Sequence, residues 1–538
     1  LIESGTEMAP SPRQQMYIQR LYLYLNMTKP SEQLYLSYAK VNSEGKGIRP
    51  SYLIDTVRKL FPAMSVEYPQ NRSRLEQIEG RQEGARYLAE ELREYVEGTL
   101  PEEERQDFYL MYRAYEADAA GRDLLTRAAF RRYRESGLSR IVARALYGQQ
   151  LENSVSRLEA YAACACRHFL QYGLSLQERE EFGFEVSDMG TVYHAVLENF
   201  AGKLAESNLT WWDFTEDFAA KAVKESVEAY AATYGETVLY SSARNEYAIT
   251  RMSRILTRTV LTLQKHLKQG SFQPDDYELS FRFAEDLDSI HVDLSEDEKM
   301  HLQGRIDRID VSEDAEHVYV KVIDYKSGNR KFDLAALYYG LQLQLELAAL
   351  YYGLQLQLVV YMNAAMEMES RKHPDKEIVP AALLYYHIDD PTIETPVELT
   401  DEQINEQILA KLRMNGVVNS DPEVVERLDR YMQDKSVVIP VEKKKDGSFS
   451  ARSGVLSREE MQLISSYVDA KIRSIGREIL DGKIAANPYE KGNEEACTYC
   501  AYKKVCGFDG SIPGYEKRQL EDLDKQALMQ RMQKTVEA

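Results

Sequence analysis

Alternating apolar and polar positions, the pattern of half-buried strands, occur in one long stretch of the second half of the chain. From about residue 277 to 327, Val, Ile and Tyr recur at alternate positions, and the apolar run at 380–387 predicts a further strand. The polar interval 312–317 divides the long stretch into two strands, which we expect to form a hairpin. After Asp333 the pattern becomes helical.

Helical periodicity marks most of the remaining chain. Residues 66–150 are rich in Glu and Arg and helical in period, and the pattern of residues 200–270 is typical of amphipathic helices. Ser156-x-x-Glu159 has the spacing of a capping box, so we expect a helix to begin there and to carry Tyr161 and Cys164.

The first 65 residues are predicted to alternate short apolar strands with turns. Residues 21–30, followed by the sequence Leu-Tyr-Leu-Ser-Tyr at 34–38, resemble the last motif region of superfamily-one helicases. Those helicases place an arginine where this chain has Lys29, and lysine lacks the planar bidentate fork that contacts a γ-phosphate. The chain also contains no G-x4-G-K-[S/T] loop, so we expect the end of an inactive helicase-like domain. Because the chain begins on Leu1 within a pattern, it is predicted to be a fragment.

Residues 334–345 recur identically at 347–358, which is a tandem repeat with a period of 13. Thirteen residues rotate an α-helix by roughly 220°, so the two copies cannot present the same face. Gln344 is followed four residues later by Ala348, whereas Gln357 is followed by Tyr361. A Gln-x3-Tyr pair shares one helix face, and we expect the second copy to supply it.

Composition limits the class of protein. A chain of 538 residues is long enough for two to four domains. Its net charge of −20 argues against a basic protein that coats nucleic acid, but a nuclease stays possible because metal-binding active sites are acidic. No apolar run approaches the roughly 18 residues of a membrane span. We expect a cytoplasmic protein.

Local charge departs from this acidic average in one place. The stretch from Arg122 to Arg144 contains seven arginines. Two interpretations stay open from sequence, a surface that contacts phosphates and an ordinary solvated helix face.

Four cysteines form a spaced set. Cys497-x2-Cys500-x5-Cys506 is a chelating loop of three thiols, and Cys164, more than three hundred residues earlier, can supply the fourth. Such clustering indicates metal binding in a reducing compartment, and the thiolates suit either zinc or an iron–sulfur cluster. We expect Cys166 to be a small buried apolar side chain.

The clearest catalytic pattern is Gly304-Arg305-Ile306-Asp307 followed by Asp324-Tyr325-Lys326. Residues i and i+2 of a strand share a face, so Asp324 and Lys326 point together and Asp307 on the neighbouring strand can join them. Two carboxylates suit magnesium, and a lysine beside them can orient water or offset charge on a phosphate. An Asp-x-Lys sequence alone is more often a surface ion pair.

Two further motifs accompany this pattern. Gly190-x3-His194 is predicted on a helix whose glycine permits close backbone approach, and Gln357-x3-Tyr361 follows downstream. In this order the motifs resemble the RecB-type branch of the PD-(D/E)XK nucleases. With the four cysteines and the helicase-like start, the chain resembles the C-terminal half of the AddB family. The resemblance implies a restriction-endonuclease-like α/β nuclease core with helical insertions in a multidomain α/β protein, preceded by the end of a degenerate helicase domain.

The resemblance also implies roles for the residues. His194, Asp307 and Asp324, with the backbone carbonyl of Tyr325, would bind Mg²⁺, Lys326 would serve hydrolysis, and Gln357 and Tyr361 would support the site. Cys164, Cys497, Cys500 and Cys506 would hold a 4Fe-4S cluster. The implied activity is 5′–3′ cleavage of single-stranded DNA from unwound duplex ends, in a heterodimer with the AddA helicase–nuclease that acts in recombinational repair.

The expected domains are an inactive helicase-like end (1–65), a helical linker (66–150), a cysteine-clasped nuclease domain (151–510) and a helical tail (511–538). Two alternatives stay open. One is a catalytically silent DNA-binding scaffold with a zinc clasp, and the other is a stand-alone Cas4-like iron–sulfur exonuclease.

Overall fold

A computed structural model describes residues 11–41, 47–68, 72–116, 119–135, 137–179, 186–234, 239–281, 287–327, 347–393, 399–492, 494–521 and 523–537. The chain folds into two compact units, Leu1–Phe130 and Arg131–Ala538. The boundary between them lies inside the segment predicted as a helical linker. In the described residues, no helix is both long enough and apolar enough to cross a bilayer.

The first unit is helical where the structure describes it. Its helices are α1 (Pro12–Met27), α2 (Tyr52–Leu60), α3 (Arg74–Gln77), α4 (Arg81–Glu97), α5 (Arg105–Glu116) and α6 (Ala119–Ala129), with a short 3-10 helix at Glu102–Glu104. A small core of six buried apolar side chains joins the last three helices. The helical prediction for this part of the segment 66–150 is confirmed.

The strands predicted in residues 1–65 are wrong. Residues 21–27 lie in α1, which begins with a capping box between Ser11 and Gln14 and has Pro12 in its first turn. Those start signals set a helix, even though the segment is rich in Leu and Tyr. No side chain of α1 is buried, and residues 34–38 form no strand.

The second unit contains all the strands of the described chain. They are β1 (Gln150–Ser154), β2 (Gln273–Ser280), β3 (His291–Asp293), β4 (Lys299–Gln303), β5 (Arg305–Glu313), β6 (His317–Lys326), β7 (Glu377–His387), β8 (Asn415–Asn419), β9 (Val455–Leu456), β10 (Tyr489–Lys491), β11 (Glu494–Glu495) and β12 (Arg518–Gln519). Its helices are α7 (Arg140–Tyr147), α8 (Val155–Ala163), α9 (Ala165–His168), α10 (Val186–Glu206), α11 (Glu216–Thr233), α12 (Ala243–Gln269), α13 (Gln357–Lys372), α14 (Asp401–Lys411), α15 (Pro422–Leu428), α16 (Arg458–Leu480), α17 (Lys503–Cys506) and α18 (Lys525–Glu537).

A six-stranded sheet organises this unit, in the order β2-β5-β6-β7-β8-β9. Strand β5 is antiparallel to both β2 and β6, and β6 is parallel to β7. The predicted hairpin is β5–β6, and the strand predicted at 380–387 is β7. Both predictions are confirmed, as are the helices predicted between 200 and 270.

Helices cover both faces of the sheet. Apolar side chains of α8, α13, α16 and α18 pack with Val320 and Val322 on one face. Helices α10, α11 and α12 pack with Ile323 and Tyr325 on the other. Because successive residues of β6 point to opposite faces, one strand contributes to both cores. The same alternation determines which of its charged residues meet which helices.

Helix α8 begins earlier than the sequence predicts. Its N-cap is Ser154, whose hydroxyl accepts the backbone N–H of Arg157, so the predicted capping box from Ser156 to Glu159 is wrong. The Oε1 of Glu159 instead accepts the backbone N–H of Leu356 at 2.8 Å. Leu356 is the N-cap residue of α13 and has no side-chain cap of its own.

The second copy of the repeat is described, whereas the first copy, 334–345, lies outside the described residues. Residues 347–351 are helical, the chain turns at Gly353 with φ +80°, and α13 begins at Gln357. The second copy is therefore not one continuous helix. Its last residues enter α13 at the position of the Gln-x3-Tyr pair.

Candidate active site

The β5–β6 hairpin brings three of the predicted residues to one face of the sheet. Arg308 pairs with Ile323, and this register continues to place Asp307 beside Asp324. The Lys326 Nζ lies 2.6 Å from Asp324 Oδ2. The backbone N–H of Tyr325 donates to Asp307 Oδ2 at 2.7 Å, which fixes that carboxylate against the strand. The ligand role of the Tyr325 carbonyl stays a prediction.

Helix α10 contributes His194 to this group. Its Nδ1 lies 3.3 Å from Asp307 Oδ1 and 3.1 Å from Glu278 Oε1. The ligand atoms of His194, Glu278 and Asp307 all lie within 4.8 Å of one another, so these three side chains could hold a metal ion. Asp324 lies beside this trio but is not a member of it.

Sequence reasoning missed Glu278. It lies on β2, the neighbour of β5, and its Oε2 also lies 2.7 Å from the Nε of Arg305. The signal was an acidic residue within a strand-like stretch just before the Gly-Arg-Ile-Asp motif. A local irregularity of β2 conceals it, because the register shifts between Pro274 and Asp276.

Two glycines allow the close packing that this site needs. A Cβ on Gly190 would lie 2.8 Å from the Ser327 hydroxyl oxygen, so the predicted close approach of the His194 helix is confirmed. A Cβ on Gly304 would lie 2.9 Å from the ring of Phe281 and 3.4 Å from the ring of Tyr361. Both glycines therefore bring aromatic or polar groups nearer than a larger residue permits.

Gln357 and Tyr361 of α13 close one side of the site. The Lys326 ammonium donates to Gln357 Oε1 at 3.0 Å, and Gln357 Nε2 donates to the Tyr361 hydroxyl at 2.9 Å. This chain of hydrogen bonds holds the flexible lysine in one position. The Gln-x3-Tyr pair in this position comes from the end of the second copy of the repeat.

Burial and charge shift the pKa values at this site in opposite ways. Burial works against a charge on His194, but its hydrogen bonds to Asp307 and Glu278 outweigh that effect and raise its pKa to about 10. Burial raises the pKa of Asp324 to about 6, against the attraction of Lys326. A cation that binds here must displace the proton that His194 shares with two carboxylates.

The opposite face of the same hairpin carries a second charged group. The Arg308 guanidinium donates to both carboxylate oxygens of Asp310, at 2.5 and 3.1 Å, and the Lys321 Nζ lies 2.7 Å from Asp310 Oδ2. Arg308 also lies over the Trp211 ring, at 4.8 Å from its centroid. Although Asp310 is fully buried, Arg308 and Lys321 hold its pKa below the usual range. We assign this group to structural stability.

The cysteines converge on one small cavity of the second unit. It is lined by all five, Cys164, Cys166, Cys497, Cys500 and Cys506, together with Arg167 and Lys503. Within the described residues, no three of their sulfur atoms lie within 4.8 Å of one another as a group. The backbone N–H of Cys166 donates to the Ala485 carbonyl at 2.9 Å, which ties the start of α9 to the segment after α16.

Cys166 differs from its prediction. It is half-buried and lines the same cavity as the other cysteines, because α9 starts directly after Cys164 and keeps the two thiols close. Burial raises the pKa of Cys166 to about 12 and that of Cys497 to about 11. The thiols of Cys166 and Cys497 are therefore protonated at neutral pH unless a metal binds them.

The arginine-rich stretch is divided between the two units. Arg140 and Arg144 form ion pairs at 2.8 and 2.6 Å with Glu298, whose side chain is only 1% exposed. Arg127 pairs with Asp123 on an exposed helix face. These three arginines have structural partners, which favours the solvated-face interpretation for them.

Comparison with known proteins identifies the family to which this chain is similar. Residues 152–507 match the model of the PD-(D/E)XK nuclease superfamily. The chain is 40% identical over 529 residues to a protein of Lachnoclostridium phytofermentans, 33% over 533 residues to one of Desulforamulus reducens and 31% over 515 residues to one of Alkaliphilus oremlandii. Each of these relatives is named as a subunit of an ATP-dependent helicase/deoxyribonuclease. The alignments cover 95–98% of this chain but only 43–45% of the relatives.

Proposed function

The chain belongs to the PD-(D/E)XK nuclease superfamily, and on that premise we propose that it is a magnesium-dependent deoxyribonuclease. The observation that carries the proposal is the convergence of His194, Glu278 and Asp307 beside the Asp324–Lys326 pair. Carboxylate-rich sites of this kind select hard, oxygen-preferring cations. A bound Mg²⁺ would polarise the scissile phosphate and lower the pKa of an attacking water.

The protein's own groups would position the reactants. Lys326 is held between Asp324 and Gln357, so its ammonium can orient a water or offset charge that develops on the phosphate. Its side chain is 43% exposed, whereas that of Asp324 is 2% exposed, so the lysine lies on the solvent side of the carboxylate. Asp307 and Glu278 both contact His194 Nδ1 and so fix the orientation of its ring.

We extend the proposal to the whole protein that this chain represents in part. The names of the relatives support membership of an ATP-dependent helicase–nuclease, with DNA as substrate and an AddA-like motor as partner in a heterodimer. On this basis the site would degrade the 5′-ended single strand in the 5′–3′ direction, in the cytoplasm, during repair of double-strand breaks by homologous recombination.

The cysteine cavity is proposed to hold a 4Fe-4S cluster through Cys164, Cys497, Cys500 and Cys506. All four cysteines line this cavity, and four thiolates can ligate either zinc or an iron–sulfur cluster. The resemblance to the AddB family favours the cluster. Arg167 and Lys503 at the cavity can offset the negative charge of four thiolates.

The proposed nuclease activity is tested with single-stranded DNA, Mg²⁺ and the wild-type chain against Asp324→Ala. We expect magnesium-dependent degradation by the wild type and a loss of at least about 10³-fold in the variant. Equal rates would overturn the catalytic assignment and leave a silent DNA-binding scaffold. Labelling the 5′ or the 3′ end of the substrate separates the two polarities.

The cysteine proposal has its own test. Visible absorption near 400 nm, a marker of iron–sulfur clusters, is expected in anaerobically purified wild type and should be lost in Cys500→Ser. Stoichiometric zinc without that absorption would favour the zinc clasp.

A further inference from the structure

A second cavity lies in the second unit, apart from the catalytic residues. Its volume is about 290 Å³, near the lower end of the range for small-molecule sites. Helices α8 and α16, the segment after α16 and strand β12 supply its walls. Three cationic side chains line it, Lys471, Lys483 and Arg518, with two carboxylates, Glu135 and Glu478.

One of these carboxylates is paired within the cavity wall, and the other is exposed at the cavity. Glu478 Oε2 accepts the Tyr161 hydroxyl at 3.1 Å, and its Oε1 lies 3.3 Å from the Lys483 ammonium. Glu135 is exposed. One cation of the three is therefore neutralised within the cavity wall, and two are not.

The two other cations have no carboxylate within ion-pair distance among the described residues, although Glu478 attracts both from farther away. Within the described parts of the chain, Arg518 donates only to backbone carbonyls, those of Asn487 at 2.8 Å, Ala163 at 3.0 Å and Ala162. Lys471 makes no hydrogen bond or ion pair with any described residue. Burial lowers the pKa of both groups, so each charge is maintained at a cost. Both side chains are half-buried, and charged groups withdrawn from water normally acquire a counter-charge, which this cavity has room to bind.

The volume and the lining of the cavity indicate which kind of anion it could bind. A volume near 290 Å³ equals that of about ten water molecules, which is more than an inorganic ion needs. Tyr161 and Tyr352 also line it, so aromatic residues lie beside the cations. A phosphate attached to a flat, partly apolar group satisfies both halves of this lining.

We propose that this cavity binds a nucleotide phosphate, with Lys471 and Arg518 as the anion-binding groups and the tyrosines beside the sugar or base. The nucleotide can come from two sources, a free mononucleotide or the end of a single-stranded DNA. The cavity is not part of the cleavage site, so binding should need neither Mg²⁺ nor Asp324.

The test measures binding by calorimetry on the full chain in EDTA, with dTMP, thymidine, inorganic phosphate, and a short oligothymidylate with and without a 5′-phosphate. We expect dTMP or the 5′-phosphorylated oligomer to bind and thymidine not to bind. Lys471→Met should weaken binding at least about 10-fold, because it removes a charge-assisted hydrogen bond. Lys471→Arg should stay within about 3-fold of the wild type.

Lys445→Met is the matched control, since Lys445 is an exposed lysine outside the cavity, and it should bind as the wild type does. Binding of dTMP would identify the free nucleotide as ligand, and binding of the oligomer alone would identify a DNA end. If thymidine binds equally well, if Lys471→Met and Lys445→Met bind alike, or if no probe binds, the proposal is overturned. Lys471→Gln replaces Lys471→Met if circular dichroism shows that the latter is misfolded.

Discussion

The two faces of the β5–β6 hairpin carry charged residues that are buried in different ways. On the structural face, the side chains of Arg308, Asp310 and Lys321 are all at most 6% exposed, so cations and anion are buried together. On the catalytic face the carboxylates are buried, but Lys326 and Arg305 are 43% and 52% exposed. A buried charge is therefore not by itself a sign of catalysis. What distinguishes the site is that its carboxylates are enclosed, whereas its lysine and arginine lie at the solvent edge.

The largest expected effect concerns the structural face. Asp310→Asn removes the one carboxylate that Arg308 and Lys321 share, leaving two buried cations unpaired. The free energy of unfolding should fall by about 3–5 kcal/mol. Urea denaturation of the variant and of Asp307→Asn in EDTA measures the difference. If Asp310→Asn lowers the free energy of unfolding less than Asp307→Asn does, the two faces do not differ in the way described.

Asp324→Asn should have the opposite effect on metal-free protein. Burial raises the pKa of Asp324 from 3.8 to about 6, so its carboxyl group contributes stability below pH 3.8 that is lost as the pH rises through 6. Asparagine removes this dependence, and the gain in unfolding free energy at pH 7 should be at most about 3 kcal/mol. Unfolding free energies of the wild type and variant between pH 4 and 7, in EDTA, give the difference. A constant difference across that range would contradict the shift.

Magnesium should stabilise only an intact catalytic face. At 100 times its dissociation constant, a cation that binds the folded state alone adds about 2.7 kcal/mol of stability. The melting temperature of the wild type should therefore rise with Mg²⁺, and that of Glu278→Gln should rise much less. Asp446→Asn is the control, because Asp446 is an exposed carboxylate that belongs to neither of the acidic groups that could hold a metal ion. An equal rise in Glu278→Gln would remove Glu278 from the metal site.

The smallest expected effect tests the support of the catalytic face. Glu159 accepts the Leu356 N–H at the start of α13, the helix that carries Gln357 and Tyr361. Glu159→Ala should lower kcat by about 10-fold with little change in KM, since a cap contributes about 1 kcal/mol. Glu159→Gln keeps an acceptor oxygen and should recover most of the rate. If the kcat of both variants equals that of the wild type, the hydrogen bond from Glu159 does not position Gln357 and Tyr361.

Much of the sheet was predictable because β5 and β6 alternate apolar and polar residues and β7 is an apolar run of strand length. The positions of Asp307, Asp324 and Lys326 follow from strand periodicity alone, and the hairpin register brings them together. His194 was predicted from its motif, and Gly190 from its spacing to that histidine. Local pattern was sufficient wherever the residue and its neighbour belong to one regular strand or helix.

Other features depend on contacts that no local pattern contains. Glu278 lies on a strand with a register shift, so its alignment with His194 requires the folded sheet. The partner of Glu159 is 197 residues away, and the sequence instead suggested a local cap with Ser156. Residues 21–27 were predicted as a strand because Leu and Tyr favour strands, but the capping box at Ser11 determines a helix.

The backbone at Glu278 has φ +47°, a left-handed conformation that costs a residue with a side chain roughly 1–2 kcal/mol and costs glycine almost nothing. Glu278→Gly would therefore relieve local strain while removing the carboxylate that faces His194 and Arg305. A selection for heat resistance alone could favour this substitution and discard activity. Stability and function compete at this one backbone position, so libraries screened for robustness should hold residue 278 fixed.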